Sequence, residues 1–428
     1  MNGLIIVAMK RTACLFLALY FFIPVFAQDP AGYLQLSGEV RDGATGKPLH
    51  YASVNLAGTN ISNVTNSEGF FILKVDARTL PSALVTISHL GYAAVTCKIS
   101  DFLGNGTGNP LKIKLIPISM TLDPALIRAR DPEELLMAAL YRIKQNYPDR
   151  HVGMTAFYRE MVKKGSKYLT MNEAILDIDK APYGSYRNDR IGIYKGRGSQ
   201  NYDSTDTLFI KYQGGAFSIL QIDQAKSPFA MAYLSEIHGV YDLKNEPVEL
   251  MGERMYYVIS FNQKPEVETI YMRGRVYIDS ETLAIGRVEM WMNVEGREDA
   301  VPLFVLRRPQ GTRFEVESAA YIVNYKPVGD KWYYDYARTE VKFATRRKRS
   351  LFKNHFTVTS EIAVTDHKNE PSVIGDNAMM KFKDQMTEKV TAFTDDNFWE
   401  NYNVIEPDTD IEAIIRKIVK QLKRHNME

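Results

Sequence analysis

Alternation of apolar and polar residues with a period of two recurs along most of this chain and restricts its fold more than any other feature. Short runs with this pattern lie within residues 33–117, and longer runs extend from Thr155 to Asp366. Successive side chains of a β-strand point to opposite faces, so these runs predict strands with one buried face. Turn residues separate most of the runs, which favours antiparallel neighbours. An aromatic content of 11%, with 25 Tyr and 20 Phe, is typical of a mainly β or α+β protein.

Residues 1–27 have the composition of a secretory signal peptide and are excluded from the prediction of the fold. Lys10 and Arg11 form a positive amino-terminal region, residues 12–26 are apolar, and Ala27 ends a small-residue cleavage site. The apolar segment is too short to span a bilayer comfortably, so it predicts export rather than anchoring. Lys10 and Arg11 are its only charges, so the rest of the chain is formally neutral. A neutral exported chain gives no general reason to expect nucleic acid as a partner.

Residues 33–117 predict a small β-sandwich of about seven strands. Its runs place apolar residues on alternate positions, and turns rich in Gly, Asn and Pro separate them. The inward positions are predicted to be Leu36, Gly38, Val40, Ala52, Val54, Leu56, Phe71, Leu73 and Val75. Cys97 alternates with apolar neighbours, so we expect a buried strand thiol rather than a reactive one. Cys97 is the only cysteine after residue 27, which excludes an internal disulfide in the exported chain.

This region resembles the carboxypeptidase regulatory-like domain, a transthyretin-like sandwich. The resemblance rests on six motif pieces in order, which are Gly38-Glu39-Val40, Thr45-Gly46-Lys47-Pro48-Leu49, Ala52-Ser53-Val54, Gly58-Thr59, residues 65–71 and Gly91-Tyr92. In that family the module accompanies zinc carboxypeptidases, but it also heads outer-membrane receptors and other envelope proteins. Its motif residues form turns and core. The resemblance therefore implies export and residence in the envelope, and it carries over no catalytic residue.

Residues 118–428 predict a larger α+β domain in which helices pack on an antiparallel meander. Asp131 as N-cap and Pro132 at the first helical position predict the start of a helix. Residues 183–206 are expected to form a polar loop, and the apolar run at residues 217–237 is expected to contain helix. The carboxyl-terminal stretch predicts an amphipathic helix that packs on the sheet, with a stripe formed by Ile411, Ile414, Ile415, Ile418 and Leu422.

Part of the meander, "RGRVYIDSETLAIGRVEM" at residues 273–290, resembles the strand-turn-strand repeat of periplasmic lipoprotein carriers. In those proteins a curved antiparallel sheet wraps helices around an apolar cavity. The resemblance implies a curved sheet here too, with helices packed against one face. It also makes a lipid or another apolar molecule a candidate ligand of the larger domain.

The sequence lacks the zinc site of the peptidases that this sandwich accompanies. Such a site requires a His-x-x-Glu pair and a second His roughly a hundred residues later. One matching pair is His367 and Glu370, in a polar turn beside Pro371, and only His425 follows it. A Gly-x-Ser-x-Gly elbow, a phosphate-cradling Gly loop and a His-Glu-x-x-His helix are also absent from the sequence. We therefore predict no catalytic residue and no cofactor.

Three carboxylates share one face of the strand sequence "NEAILDID". Glu173, Asp177 and Asp179 are weak candidates for a Ca²⁺ site, because three oxygens along one strand suit this ion loosely. The competing interpretation is a set of cross-strand charge pairs on a wet face. The preceding strand would supply their cationic partners from Arg159, Lys163 and Lys164.

Two further surface features are candidate sites. The densest basic run would bind phosphate, anionic lipid or acidic glycan, or would form a charged turn that protects a sheet edge, and it consists of Arg346, Arg347, Lys348 and Arg349. Two short sequences in a polar loop resemble the O-glycosylation acceptor pattern of some exported Gram-negative proteins. They make Ser204 and Thr207 candidate acceptors.

These observations predict a non-enzymatic exported protein of the Gram-negative envelope, located in the periplasm or at the outer membrane. It would bind or assemble with envelope components or outer-membrane proteins, would hold a lipid or apolar ligand, and would not be an integral membrane protein. The alternative is a hydrolase of envelope peptide or glycan. Its acid and base would come from Glu160, Glu173, Asp177 and Asp179.

Overall fold

The structure is a computed structural model. It describes residues 32–104, 109–118, 131–185, 187–200, 215–228, 236–305, 310–348, 350–381, 384–392, 398–413 and 415–416. Several predictions therefore fall outside the described residues. These concern the signal peptide at residues 1–27, the acceptors Ser204 and Thr207, the fourth basic residue Arg349, and Ile414, Ile418 and Leu422 of the carboxyl-terminal stripe.

The amino-terminal region forms the predicted seven-stranded sandwich. Its strands are β1 (Tyr33–Asp42), β2 (Ser53–Leu56), β3 (Ser62–Val64), β4 (Phe70–Asp76), β5 (Leu84–Ser88), β6 (Val95–Lys98) and β7 (Leu111–Leu115), with a short helix α1 (Ile99–Leu103). One sheet has the order β4-β1-β7 and the other the order β3-β2-β5-β6. The pairing of β1 with β7 is parallel, and the other pairs are antiparallel.

The core of the sandwich follows the predicted alternation. The apolar side chains expected to point inward are all buried. Gly38 lies on the same face as these side chains. A Cβ at this position would lie 2.4 Å from the Phe71 ring, so only glycine allows this close packing. Cys97 lies in β6 and is half-buried against the core. Burial, together with the nearby Asp101 carboxylate, raises the pKa of its thiol, which makes it less reactive.

The rest of the described chain is built on one large sheet. Its strands are β8 (Val152–Lys164), β9 (Lys167–Lys180), β10 (Arg190–Gln200), β11 (Tyr241–Met251), β12 (Arg254–Gln263), β13 (Met272–Asp279), β14 (Ile285–Met292), β15 (Thr312–Val328), β16 (Lys331–Arg347), β17 (Asn354–Lys368) and β18 (Thr391–Ala392). Their order is β11-β12-β13-β14-β15-β16-β17-β8-β9-β10-β18, antiparallel except for β10 with β18. The predicted meander is therefore confirmed.

Helices cover one face of this sheet, which we call the helix side. They are α2 (Pro132–Tyr141), α3 (Ile143–Asn146), α4 (Ala216–Gln221), α5 (Ile237–Val240), α6 (Val301–Phe304) and α7 (Met386–Lys389). Asp131 caps α2 as predicted, because its carboxylate accepts the N–H groups of Glu133 and Glu134. Apolar side chains of α2, α4 and α5 join those of the sheet in one continuous core.

The prediction of a polar loop at residues 183–206 is wrong in part, because β10 lies within it and pairs with β9. Four glycines in this stretch indicated a loop. In the structure a Cβ at Gly192 would lie 2.6 Å from Ile374, and one at Gly196 would lie 2.6 Å from Val390. The glycines therefore allow Ile374 and Val390 to pack closely on the strand, and they do not turn the chain.

The opposite face of the large sheet carries the sandwich and the segment at residues 398–411. Val64 of the sandwich and Trp399, Val404 and Ile405 of the segment pack on four sheet residues, which are Phe157, Ile175, Tyr336 and Ala363. Ile411 and Ile415 pack on Met161 and Met171 farther along, as the predicted amphipathic stripe requires. We call this face the sandwich side. None of the helices in the described ranges combines the length and apolar content needed to cross a membrane.

Candidate functional site

Contacts on the sandwich side hold the sandwich firmly against the large sheet. Tyr51 stacks on Tyr336 with ring centroids 5.1 Å apart. The Asn63 side chain donates to the Val404 carbonyl at 2.9 Å, and the Lys74 N–H donates to the Asn403 side chain at 2.7 Å. The segment at residues 398–411 thus lies between the sandwich and the large sheet and bonds to the sandwich. Polar groups beneath it are shielded from water.

A buried network of charges lies beneath that cover and is formed by Arg159, Glu173, Arg197 and Glu361. The Arg159 guanidinium donates to Glu173 at 2.8 Å, to Glu361 at 3.2 Å and to the Ile405 carbonyl at 2.8 Å. Arg197 donates to the second Glu173 oxygen at 2.9 Å. Burial alone raises the pKa of the Glu173 carboxyl, but Arg159 and Arg197 outweigh it and the net shift is downward. Glu173 is therefore a paired carboxylate rather than a proton donor.

The candidate carboxylates of the sequence do not converge. Arg159 and Glu173 form the predicted cross-strand pair, but they are 2% and 1% exposed, so the expected wet face is buried here. Asp179 pairs instead with His151 at 3.0 Å, and burial raises the pKa of the half-buried Asp177. Within the described residues, no group of three or more His, Cys, Asp or Glu is placed to hold a metal ion.

Glu160, the fourth candidate of the hydrolase alternative, lies on the helix side of the sheet. The Tyr158 hydroxyl donates to it at 3.0 Å, and burial raises the pKa of its carboxyl. Strand alternation places Arg159 and its partners on the other side of the same strand. An acid and a base on opposite faces of one sheet cannot act on one bond.

The helix side also holds an ion cluster beneath its helices. Lys180, which is 1% exposed, lies 2.8 Å from the Asp189 carboxylate and 2.6 Å from that of Asp223. The hydroxyls of Tyr183 and Tyr325 donate to Asp223 at 3.0 and 2.7 Å. Each buried charge here has its partner, which is the condition for burying charges at all. Aromatic and charged side chains of the protein itself thus occupy this part of the helix side.

His367 of the His-x-x-Glu pair has a structural environment. Its ring stacks on Tyr333 with centroids 4.3 Å apart, and its carbonyl accepts the Asn60 side chain at 2.7 Å. Burial, with the Lys326 charge nearby, lowers the pKa of its imidazole to about 4. The ring is thus neutral and packed on Tyr333, and the backbone of His367 joins the sheet to the sandwich.

An open basic groove lies at one end of the large sheet. Arg313 of β15 stands directly opposite Arg346 of β16, and Lys353 immediately precedes β17. The groove has a volume of about 360 Å³. Its lining consists of Gly296, Arg297, Glu298, Arg313, Phe314, Glu315, Ala344, Thr345, Arg346 and Lys353.

The charges of the basic groove are not balanced. Four cationic side chains and two carboxylates line the groove, and Arg297 pairs with Asp299 outside the lining at 2.7 Å. Arg313 pairs with Glu298 at 2.8 Å, and Lys353 pairs with Glu315 at 2.5 Å, a hydrogen bond that lowers the pKa of Glu315. Arg346 has no ion-pair partner in the part of the chain that the structure describes. Like charges placed opposite each other destabilise a sheet, so an anion between Arg313 and Arg346 would relieve their repulsion.

The predicted basic run continues from this groove into the turn between β16 and β17. Arg346, Arg347 and Lys348 are exposed. The run does not protect a sheet edge, because β16 lies between β15 and β17, and β17 lies between β16 and β8. It lies instead at the end of an interior strand and in the turn that follows it.

Comparison with known proteins identifies part of the chain. Residues 36–115 match the model of the CarboxypepD_reg-like domain family, which confirms the predicted resemblance of the sandwich. The match covers about a fifth of the chain. A comparison with curated protein sequences found no match.

Similar solved structures include a LolA superfamily protein from Nitrosomonas europaea and a DUF1329 family protein from Desulfovibrio piger. The first is 10% identical with a TM-score of 0.24, and the match covers 59% of this chain and 99% of that one. The second is 14% identical with a TM-score of 0.25, covering 55% and 94%. A LolA superfamily protein is thus among the similar solved structures. At such scores the likeness says nothing about ligand or activity.

Sequence reasoning found Arg346 but missed Arg313 and Lys353. A signal existed, because the Gly329-Asp330 turn joins β15 to β16 and fixes their register. Counting outward from Val328 opposite Lys331 places Arg313 opposite Arg346, and the two register shifts within this hairpin cancel. The β16–β17 turn similarly places Lys353 beside Arg346.

Proposed function

We propose that this protein is an exported, non-enzymatic binding protein of the Gram-negative cell envelope, and that it binds the phosphate-bearing head group of an envelope lipid in the basic groove. The observation that carries the proposal is the Arg313–Arg346 pair. The two residues stand opposite each other in the register of β15 and β16, both line the groove, and Arg346 has no ion-pair partner among the described residues. Arginine forms bidentate hydrogen bonds with phosphate, so this pair suits such a ligand.

The surroundings of the acidic residues support a non-enzymatic role. Glu173 is neutralised by two arginines, Asp179 is paired with His151, and Glu160 lies on the other side of the sheet. A hydrolase needs an acid and a base that face one substrate bond, whereas Glu160 and Glu173 lie on opposite sides of the sheet. A binding protein has no such requirement.

The location follows from the amino-terminal part of the chain. The apolar segment at residues 12–26 has the features of an export signal, and residues 36–115 match a module that resembles those of envelope proteins. An export signal and this module together favour the periplasm or the outer-membrane surface. Envelope components would then be the available partners.

A lipid ligand fits the groove better by its head group than by its acyl chains. The groove is lined by charged residues, whereas the apolar residues described on the helix side pack against one another. An acyl chain prefers an apolar cavity, and a phosphate prefers paired cations. The proposal therefore assigns the head group, and not the chains, to the basic groove.

Isothermal titration of the protein with soluble short-chain phosphatidylglycerol, kept below its micelle concentration, tests this function. We expect binding by the natural protein and about ten-fold weaker binding by Arg346→Gln, because one charge-assisted contact is lost. Arg78→Gln is the matched control, since Arg78 is an exposed arginine of the sandwich, far along the chain from the groove. Equal affinities of all three proteins, or no binding by the natural protein, would refute the proposal.

A further inference from the structure

The turn between β16 and β17 presents two neighbouring large apolar side chains to water. Leu351 is 92% exposed and Phe352 is 81% exposed. Other large apolar side chains are exposed elsewhere in the described residues, but no two of those are neighbours in sequence. A single exposed apolar residue needs no explanation, whereas an adjacent pair at a protruding turn marks a contact surface. We call Arg347, Lys348, Ser350, Leu351 and Phe352 the tip.

Hydrogen bonds hold the tip in this conformation. The Ser350 N–H donates to the Arg347 carbonyl at 2.9 Å, and the Lys348 N–H donates to the Gly311 carbonyl at 2.9 Å. The Ser350 hydroxyl lies 3.0 Å from the Phe352 carbonyl and 3.2 Å from the Phe352 amide nitrogen. The two apolar side chains are therefore presented by an ordered turn. This ordering reduces the conformational entropy that a binding partner would have to remove.

Cationic side chains surround the apolar pair. Arg347 and Lys348 precede the pair in sequence, and Lys353 follows it. Arg346 and Arg313 lie opposite each other at the adjoining ends of β16 and β15. Basic residues beside exposed Leu and Phe are the combination by which peripheral proteins bind anionic lipid surfaces. The cations attract the head groups, and the apolar side chains enter the acyl boundary.

The dimensions of the tip agree with this arrangement. In the β16–β17 register Phe352 lies one residue and Leu351 two residues beyond the level of Arg346, which corresponds to roughly 3–7 Å at the rise of a strand. Interfacial segments bury their apolar residues to about the same depth below the head groups. With the cations at the phosphate level, the apolar pair would therefore reach the acyl region.

A protein partner fits the tip less well. A stable protein interface needs about 800 Å² of each partner, usually over a broad complementary surface. The tip is a narrow protrusion of a few residues, whose apolar part is two side chains. A fluid bilayer adapts to such a protrusion, because it needs no preformed complementary pocket.

We infer that the tip docks the protein onto an anionic membrane surface, with Leu351 and Phe352 in the acyl boundary and Arg346, Arg347 and Lys353 at the phosphate level. This inference deepens the proposed function and rests on it for the cations, since Arg346 and Lys353 also line the basic groove. The apolar pair lies outside the groove lining. It therefore allows docking to be tested separately from head-group binding.

Sedimentation of the protein with large vesicles tests the inference. Vesicles containing about one third phosphatidylglycerol in phosphatidylcholine are compared with pure phosphatidylcholine. We expect binding to the anionic vesicles only, and a loss of about ten-fold or more in the Leu351→Ser/Phe352→Ser variant, because its apolar contribution is removed.

The matched control is Leu80→Ser/Val373→Ser, which also removes two exposed apolar side chains. Leu80 lies in the sandwich, and Val373 follows the far end of β17, roughly 50 Å of strand from the tip. We expect this control to bind as the natural protein does. A second measurement uses Phe352→Trp, whose fluorescence should shift to shorter wavelength on anionic vesicles and be quenched by brominated acyl chains.

The outcomes separate the inference from the proposed function. Binding of short-chain phosphatidylglycerol without vesicle binding would overturn the docking inference and leave the groove proposal intact. Three further outcomes would also overturn docking. The tip variant would still bind vesicles, the natural protein would bind neutral vesicles equally well, or the tip would bind a protein partner and no vesicles. Vesicle binding lost in the tip variant, with short-chain lipid binding unchanged, would support docking and the groove together.

Discussion

The buried network and the basic groove use the same kind of element, a row of charged side chains across neighbouring strands, yet they have opposite surroundings. Both rows lie on the sandwich side of the large sheet. Along β16 the side-chain exposure rises from 21% at Arg338 to 50% at Lys342, and Arg346 beyond them is exposed. Arg338 joins the network through Glu361, and Arg346 lines the groove.

The difference between the two rows lies in their charge balance. In the network every cation faces a carboxylate or a carbonyl, so the sandwich and the carboxyl-terminal segment are able to cover it. In the groove two arginines face each other, and covering them would leave a charge buried without a partner. Burial of unpaired charge is highly unfavourable, which explains why this end of the sheet stays open.

The largest expected effect concerns Arg159, because its replacement removes the cation that bridges two buried carboxylates, Glu173 and Glu361. Arg159→Met should lower the free energy of unfolding by about 3–5 kcal/mol. Arg346→Met removes an exposed cation without a partner and should change stability by less than about 0.5 kcal/mol. Urea unfolding monitored by tryptophan fluorescence measures both variants.

The same pair of variants shows what would contradict the comparison. If Arg159→Met and Arg346→Met lowered stability equally, the network would not be the paired, covered structure described above. A double variant, Arg159→Met with Glu173→Leu, should recover part of the lost stability, because it also removes a buried carboxylate that paired with Arg159. Its failure to recover any stability would point to packing rather than charge.

A smaller effect concerns Glu406 at the margin of the network. Burial raises the pKa of its carboxyl from 4.5 to about 7, although the Arg159 and Lys74 charges oppose that rise. The folded protein thus holds this proton more tightly than the unfolded chain does. The contribution to stability is complete below about pH 4.5 and is lost as pH rises to about 7, by about 1–3 kcal/mol.

Urea unfolding between pH 5 and pH 8 checks this expectation, with Glu406→Gln as the comparison. The glutamine variant cannot ionise, so the difference in stability between it and the natural protein should grow in its favour as pH rises. A constant difference across this range would show that Glu406 ionises normally in the folded protein. No such pH dependence is expected from Arg346→Gln.

The sequence predicted the fold well where a local pattern determines it. Alternation identified the inward faces of the sandwich and the meander, and Asp131 identified the start of α2. It failed at β10, where Gly192 and Gly196 indicated a loop. Close packing against Ile374 and Val390 selects glycine there, and a local sequence pattern does not show such long-range contacts.

The candidate site was less predictable from the sequence. It depends on the register between neighbouring strands and on which distant segments cover the sheet. Arg159 and Glu173 were expected to pair, but whether that pair faces water depends on Trp399 and Ile405, more than two hundred residues away. In the groove, Arg346 was recognised from the basic run alone. Arg313 required the register of a hairpin that contains two shifts.

The smallest expected effect on stability tests the comparison most directly. The substitution gives the exposed row of charges in the groove the same balance of cations and carboxylates as the buried network. Arg346→Glu places a carboxylate opposite Arg313 and should raise the free energy of unfolding by about 0.2–1 kcal/mol. The same change should abolish binding of short-chain phosphatidylglycerol, since a negative charge replaces the cation between Arg313 and Lys353. Arg346→Gln should give about half the gain in stability. Proteins commonly sacrifice some stability at a binding site. A loss of stability in Arg346→Glu, measured by urea unfolding, would mean that Arg313 and Arg346 do not repel each other and that the groove needs no anion.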